Sequence, residues 1–270
     1  MKKIYSATFL FLICLNPLSG ASLSNNATYP YFCQNAANDE ELFSGFKRNP
    51  IYREILEHLN YDQGLLFVNY INKFYPDLFE KNSRLQTNDK IGNPETFEYE
   101  KIGSYSPTTL RYIKVAGDLR KEFGDLSKLN IVEIGAGYGG QCKILSDLFG
   151  FASYTIIDLP QCNELTKKYL SRQGVDNVEY ISYDKVPSNK KYDLVISNYG
   201  FSQCDRAEQQ KYLEKIIDTT PKGYITCNFI AKDAFSSQEL IKILNTIKKT
   251  LIIQPEVPST GADNLVFIWK

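Results

Sequence analysis

The sequence predicts an α/β chain of Rossmann-like type: a mostly parallel seven-stranded sheet with helices on both faces, an antiparallel last strand and a helical N-terminal extension. Three observations predict it. Segments of strand and helix periodicity alternate from residue 130 to the end of the chain. The first of those strands runs into Gly135-Ala-Gly-Tyr-Gly-Gly140, where bare backbone and a helix N-terminus suit close approach by a ligand. Residues 255–264, with Pro258, Gly261 and Asp263, are too few for a crossover helix, so the last two strands must run antiparallel.

In chain order, Lys2 and Lys3 precede an apolar run over 4–15 and the small residues Ser19, Gly20 and Ala21. These are the parts of a secretory signal over 1–21, with cleavage expected near Ala21 and export of the mature chain. An uncleaved N-terminus on a cytoplasmic or membrane-anchored protein is the alternative. Residues 22–105 read as a helical extension that doubles as a substrate lid. Within it, 25–40 is polar and reads as loose. Residues 50–79 read as helical, with Ile51, Ile55, Leu56 and Leu59 on one stripe and Leu65, Leu66, Val68, Ile71 and Phe74 on another. Residues 81–105, punctuated by Gly92 and Pro94, read as irregular, either connector or lid.

A second unit spans 106–270. Ser106 is the expected N-cap of its first helix and Pro107 sits in the first turn; Leu110, Ile113, Ala116, Leu119 and Phe123 form the buried stripe. Strands are expected at 130–134, 154–158, 178–182, 192–197, 223–229, 251–254 and 265–269. Helices are expected after the glycines and at 161–172, 207–218 and 237–248.

Lys+Arg and Asp+Glu are both 31, so no basic excess points to a nucleic-acid partner. No apolar run is long enough to span a membrane in the mature chain. The six cysteines lack CxxC spacing and His58 is the sole histidine, which argues against a metal site. Cys142, Cys162 and Cys227 read as buried free thiols.

The alternating pattern with its closing antiparallel pair resembles the class I methyltransferases, which use S-adenosylmethionine (SAM). The resemblance implies a SAM seat made by Glu133, Gly135, Gly137, Gly139, Asp158, Asp184, Asn198 and Tyr199. Asp158 would take the ribose hydroxyls, the turn at 182–184 the adenine, and the turn at 198–201 the sulfonium. Gly135, Gly137 and Gly140 also satisfy GxGxxG, so the glycines alone leave a nicotinamide-dependent oxidoreductase open.

The blocks Asn88-Asp89 with Gly92-Asn93-Pro94, Ser106-Pro-Thr-Thr-Leu-Arg-Tyr112, Glu133 to Gln141 and Asp193 to Tyr199 together resemble the sugar O-methyltransferase family, over about residues 60–270. That resemblance implies SAM-dependent methyl transfer to a saccharide hydroxyl, with a small-molecule or glycan acceptor. Asn88, Asn93, Arg111 and Tyr112 are the residues expected to face it. Transfer needs a base for the hydroxyl proton. Asp89 or Asp205 is favoured over His58 and Glu208. An exported, non-catalytic protein of the same fold is a third reading, because SAM is made in the cytoplasm.

Overall fold

A computed structural model describes residues 28–270. The expected export signal lies outside the described residues. The N-terminal region is a set of short helices: α1 (Thr28–Asn38), α2 (Glu40–Ser44), α3 (Pro50–Ile55), α4 (Tyr61–Phe74) and α5 (Asn82–Leu85). The stretch expected to be loose is therefore helical. Tyr29, Phe32, Cys33 and Ala36 recur at helical spacing and bury one stripe of α1, hidden in the sequence among Gln34, Asn35 and Asn38. The region expected as helix over 50–79 is broken after Leu56. Asn60 restarts it as α4 through a reciprocal cap with Gln63. The region expected to be irregular holds a small hairpin, β1 (Phe97–Tyr99) with β2 (Gly103–Tyr105).

Next come α6 (Pro107–Phe123), β3 (Asn130–Ile134), α7 (Gly140–Leu148), β4 (Ser153–Asp158), α8 (Pro160–Arg172), β5 (Val178–Ser182) and β6 (Leu194–Asn198). The chain then runs through α9 (Gly200–Gln203), α10 (Arg206–Tyr212), β7 (Lys222–Cys227), α11 (Ser237–Ile247), β8 (Leu251–Pro255) and β9 (Leu265–Trp269). Ser106 caps α6 through the Thr109 N–H, as expected. The helix expected over 207–218 changes to a π turn at Leu213–Ile217. The strand expected over 223–229 stops at Cys227, and Phe229 takes a left-handed φ of 51°.

The sheet order is β5-β4-β3-β6-β7-β9-β8. Strands β5, β4, β3, β6 and β7 are mutually parallel, and β9 is antiparallel to both of its neighbours. This is the Rossmann-like arrangement that the element order predicts. Alternation along the strands makes two cores. Ile131, Ile156, Leu194 and Ile196 bury against α6, α7 and α8, in one core with the N-terminal helices. Val132, Ile134, Val195 and Ile225 bury against α10 and α11.

Helix α6 is buried along most of its length because the N-terminal helices cover the face that the sheet does not. Asp118 holds the three layers together. It accepts hydrogen bonds from Tyr75 after α4 (2.7 Å) and Tyr224 on β7 (2.7 Å), and it pairs with Lys114 one turn away (2.8 Å). Cys33, Cys142, Cys162 and Cys227 are free and buried. No helix among the described residues is long and apolar enough to cross a membrane.

Candidate active site

The carboxyl ends of β3, β4, β5 and β6 open into one cavity, roofed by the N-terminal helices. Its floor is the glycine turn after β3. Gly135 has φ +71°, and a Cβ there would lie 2.7 Å from the Cα of Gly200, which follows β6. A Cβ on Gly200 would in turn lie 2.8 Å from the Ile134 carbonyl oxygen. The two turns therefore touch backbone to backbone, which only glycine allows. Gly137 also faces the cavity, and Leu56 presses on it from above. Gly139, with φ +88°, is the N-cap of α7 and does not line the cavity.

Asp158 ends β4 at the cavity wall. Its carboxylate accepts from the Leu159 N–H (2.7 Å) and the Gly137 N–H (3.3 Å). Burial raises its pKa to about 6 against the pull of those N–H groups. Asn198 and Tyr199 line the β6 end. The Asn198 amide donates to Gln141 (3.3 Å), whose own amide donates to the Tyr112 carbonyl (3.2 Å). Tyr199 has φ +69°, and its hydroxyl donates to Glu256. Glu256 also accepts from Thr260 Oγ1 (2.8 Å) and Asn264 (2.8 Å), so the β8–β9 loop is tied down as a side wall.

Other expected site residues fall elsewhere. Glu133 lies in the core beneath the turn, where its carboxylate accepts from the Tyr154 hydroxyl at 2.7 Å. Asp184 is exposed and accepts from Ser182; its neighbour Tyr183 is the residue that faces the cavity. Asn88 is wholly buried. It donates to Thr109 (2.6 Å) and accepts from Tyr169 (2.7 Å). The Asn93 carbonyl accepts from Arg48 (3.2 Å). Tyr112 is buried against Gly140, while its neighbour Arg111 reaches the cavity.

The two acids favoured as bases lie outside the cavity. Asp89 accepts from the Ser106 N–H (2.7 Å), the Ser106 hydroxyl (2.8 Å) and the Thr109 hydroxyl (2.7 Å), which uses its carboxylate to anchor the start of α6. Asp205 caps α10 through the Glu208 N–H (2.8 Å). Neither lines the cavity; His58 and Glu208 do. Burial, and then the charge of Arg111, hold the His58 imidazole below its ordinary range, so it is neutral and able to take a proton at neutral pH. Among the described residues no three His, Cys, Asp or Glu side chains are grouped to hold a metal.

The residues that sequence reasoning missed are on the roof and the side wall: Tyr29, Thr260, Gly261 and Asn264. Topology held the signal for the last three. Because β8 runs parallel to the central strands, the β8–β9 connection must emerge at their carboxyl edge.

Burial raises the Glu133 carboxyl to about 8, with the Tyr154 hydroxyl opposing the shift and Asp158 adding to it. The fold keeps that proton to about pH 8, whereas a free carboxyl loses it near 4.5. Stability therefore falls as pH rises through that window. Glu133→Gln has no proton to lose. Its melting temperature relative to the parent is expected to improve steadily from about pH 5 to about pH 9; a flat difference contradicts this account.

No protein-family model matches the chain. Over 102 residues it is 30% identical to the protein-L-isoaspartate O-methyltransferase of Pyrococcus horikoshii, an alignment that covers 36% of this chain and 46% of that protein. The chain thus spans less than half the length of this relative. Among solved structures, a Pyrococcus horikoshii protein aligns with a TM-score of 0.49 and 13% identity over 62% of this chain and 92% of that one. A rRNA methylase from Streptococcus thermophilus aligns at 0.44 and 18% over 58% and 93%. PigF with SAH aligns at 0.44 and 14% over 82% and 78%.

Proposed function

We propose that this protein binds SAM in the cavity and transfers its methyl group to a hydroxyl, with a sugar as acceptor. The observation that carries the cofactor reading is the bare crossing of Gly135 and Gly200 beside Asp158, in a sheet whose order ends β7-β9-β8. A side chain on either glycine would collide with backbone, so the floor stays open to a ligand lying across β4, β3 and β6. Asp158 would accept from the two ribose hydroxyls, and Tyr183 would flank the base. The partial match to an O-methyltransferase supports the same reading.

When bound, SAM supplies an electrophilic methyl on a charged sulfur, a centre that already has a good leaving group. The chain must hold a hydroxyl in line with that methyl, which is worth a large part of the rate. His58 is the residue that we assign as base; its neutral imidazole accepts the hydroxyl proton. The sugar rests on the four sequence blocks, of which Asn88 and Asn93 serve to build the roof rather than to touch the acceptor.

Calorimetry on the full chain tests the cofactor. S-adenosylhomocysteine (SAH), the demethylated product, is expected to give binding heat and NAD none. Heat with NAD alone would move the protein to the oxidoreductase reading. Heat with neither ligand would favour the non-catalytic one.

A further inference from the structure

Arg111 sits in the first turns of α6, and its guanidinium lines the cavity while the residue is only 5% exposed. Its Nε has no hydrogen-bond partner. None of the ion pairs among the described residues includes it. Its faces are covered instead, with the charge 5.1 Å from the Tyr199 ring centre and 5.4 Å from that of Tyr112. The rings beside it and one side-chain hydrogen bond with Tyr112 leave Nε and the rest of the guanidinium edge for a planar oxyanion. Two acids, Glu256 and Glu57, favour its charge through space, but neither forms an ion pair with it. Glu256 is occupied by Tyr199, Thr260 and Asn264. Glu57 is itself buried, and burial pushes its carboxyl towards the neutral form.

A buried cation without a paired anion is costly, and proteins keep one where a ligand supplies the partner. We infer that Arg111 is the cation of an oxyanion subsite in the cavity, built to take a carboxylate edge-on between the Tyr112 and Tyr199 rings. This rests on the cofactor reading only for the source of the anion. Arg111 lies over Tyr199 at the β6 end, and Asp158 ends β4, with β3 between them. Two strand spacings, about 10 Å, separate the ends of β4 and β6. That matches the reach from a ribose to the carboxylate of an attached amino-acid tail. An acidic acceptor is the second source of the same chemistry.

The test compares binding of SAH, of 5′-methylthioadenosine (which lacks the amino-acid carboxylate) and of galacturonate against galactose. Arg111→Gln is expected to weaken SAH by about 10- to 100-fold and to leave methylthioadenosine unchanged within about twofold, if the anion is the cofactor's. If it is the acceptor's, SAH is unchanged, and the parent binds galacturonate but not galactose, a preference that the variant loses. Either result establishes the subsite and assigns its source. A variant that matches the parent on every ligand overturns it. Retained methylthioadenosine binding shows that the variant is folded. Should the glutamine variant not fold, Arg111→Lys carries the comparison, and it too must lose affinity, because one ammonium cannot present the forked donors. A parent that binds neither SAH nor methylthioadenosine sinks the cofactor reading instead. The subsite then stands or falls on the galacturonate preference.

Discussion

Asp158→Ala is expected to weaken SAH binding by about 100-fold or more, the largest loss predicted for any single side chain in the cavity. A carboxylate that accepts from two hydroxyls makes two charge-assisted hydrogen bonds. Alanine removes both and leaves the hydroxyls facing an apolar wall. The fold should survive, because Asp158 anchors only backbone N–H groups of the two adjoining turns, those of Leu159, Gly137 and Ala136. The parent carries a pH signature of the same contact. With a pKa of about 6 in the free protein, the carboxyl is protonated below that value and no longer accepts from both hydroxyls. SAH affinity should therefore fall as pH drops through about 6, by up to about tenfold per unit. In Asp158→Ala that dependence disappears. Parental affinity in the variant would overturn the ribose assignment.

Asp118→Ala is expected to cost about 3–5 kcal/mol of stability, the largest effect predicted away from the cavity. The carboxylate is the shared acceptor of Tyr75 and Tyr224 and the partner of Lys114, which is only 4% exposed. Its removal strands a buried ammonium and two buried hydroxyls at once. Urea unfolding measures it. A loss below about 1 kcal/mol would mean that water replaces the carboxylate. Restoration on adding Lys114→Met to the variant would identify the stranded charge as the main cost.

The sheet was legible because alternation in strands such as β3 and β9 is dictated by two buried faces. Ile131 and Val132 must point opposite ways, and each finds a core. Helix α1 was not legible because its stripe is four residues interrupted by amides, and it depends on tertiary packing, chiefly against α8. The β1–β2 hairpin escaped because three-residue strands carry no periodicity.

The site divides along the same line. Gly135, Asp158 and Asn198 stand at strand ends, so topology alone assigns them to the cavity. Asp89, Asn88 and Asp205 are polar residues in loops, and the hydrogen bonds that suit a ligand suit a backbone or a buried hydroxyl equally well. For Asp205 the sequence held a hint: Asp205-Arg-Ala-Glu208 has the spacing of a helix cap. Asp89 and Ser106 are 17 positions apart, and no local pattern links them. The place of His58 in the cavity was not legible, because a lone histidine beside an apolar stripe shows nothing of what folding sets against it.

The contact between Gly135 and Gly200 also has an evolutionary consequence. It splits the cavity into a portion that tolerates no change and a portion that does. The floor admits no larger residue at either crossing point, so descendants of this chain inherit the same seat for the cofactor. Residues 56–58, 228–230 and 256–264 meet no such limit, since they lie in loops. A lineage that acquires a new acceptor would record the change there, and its older history would stay readable in the two glycines.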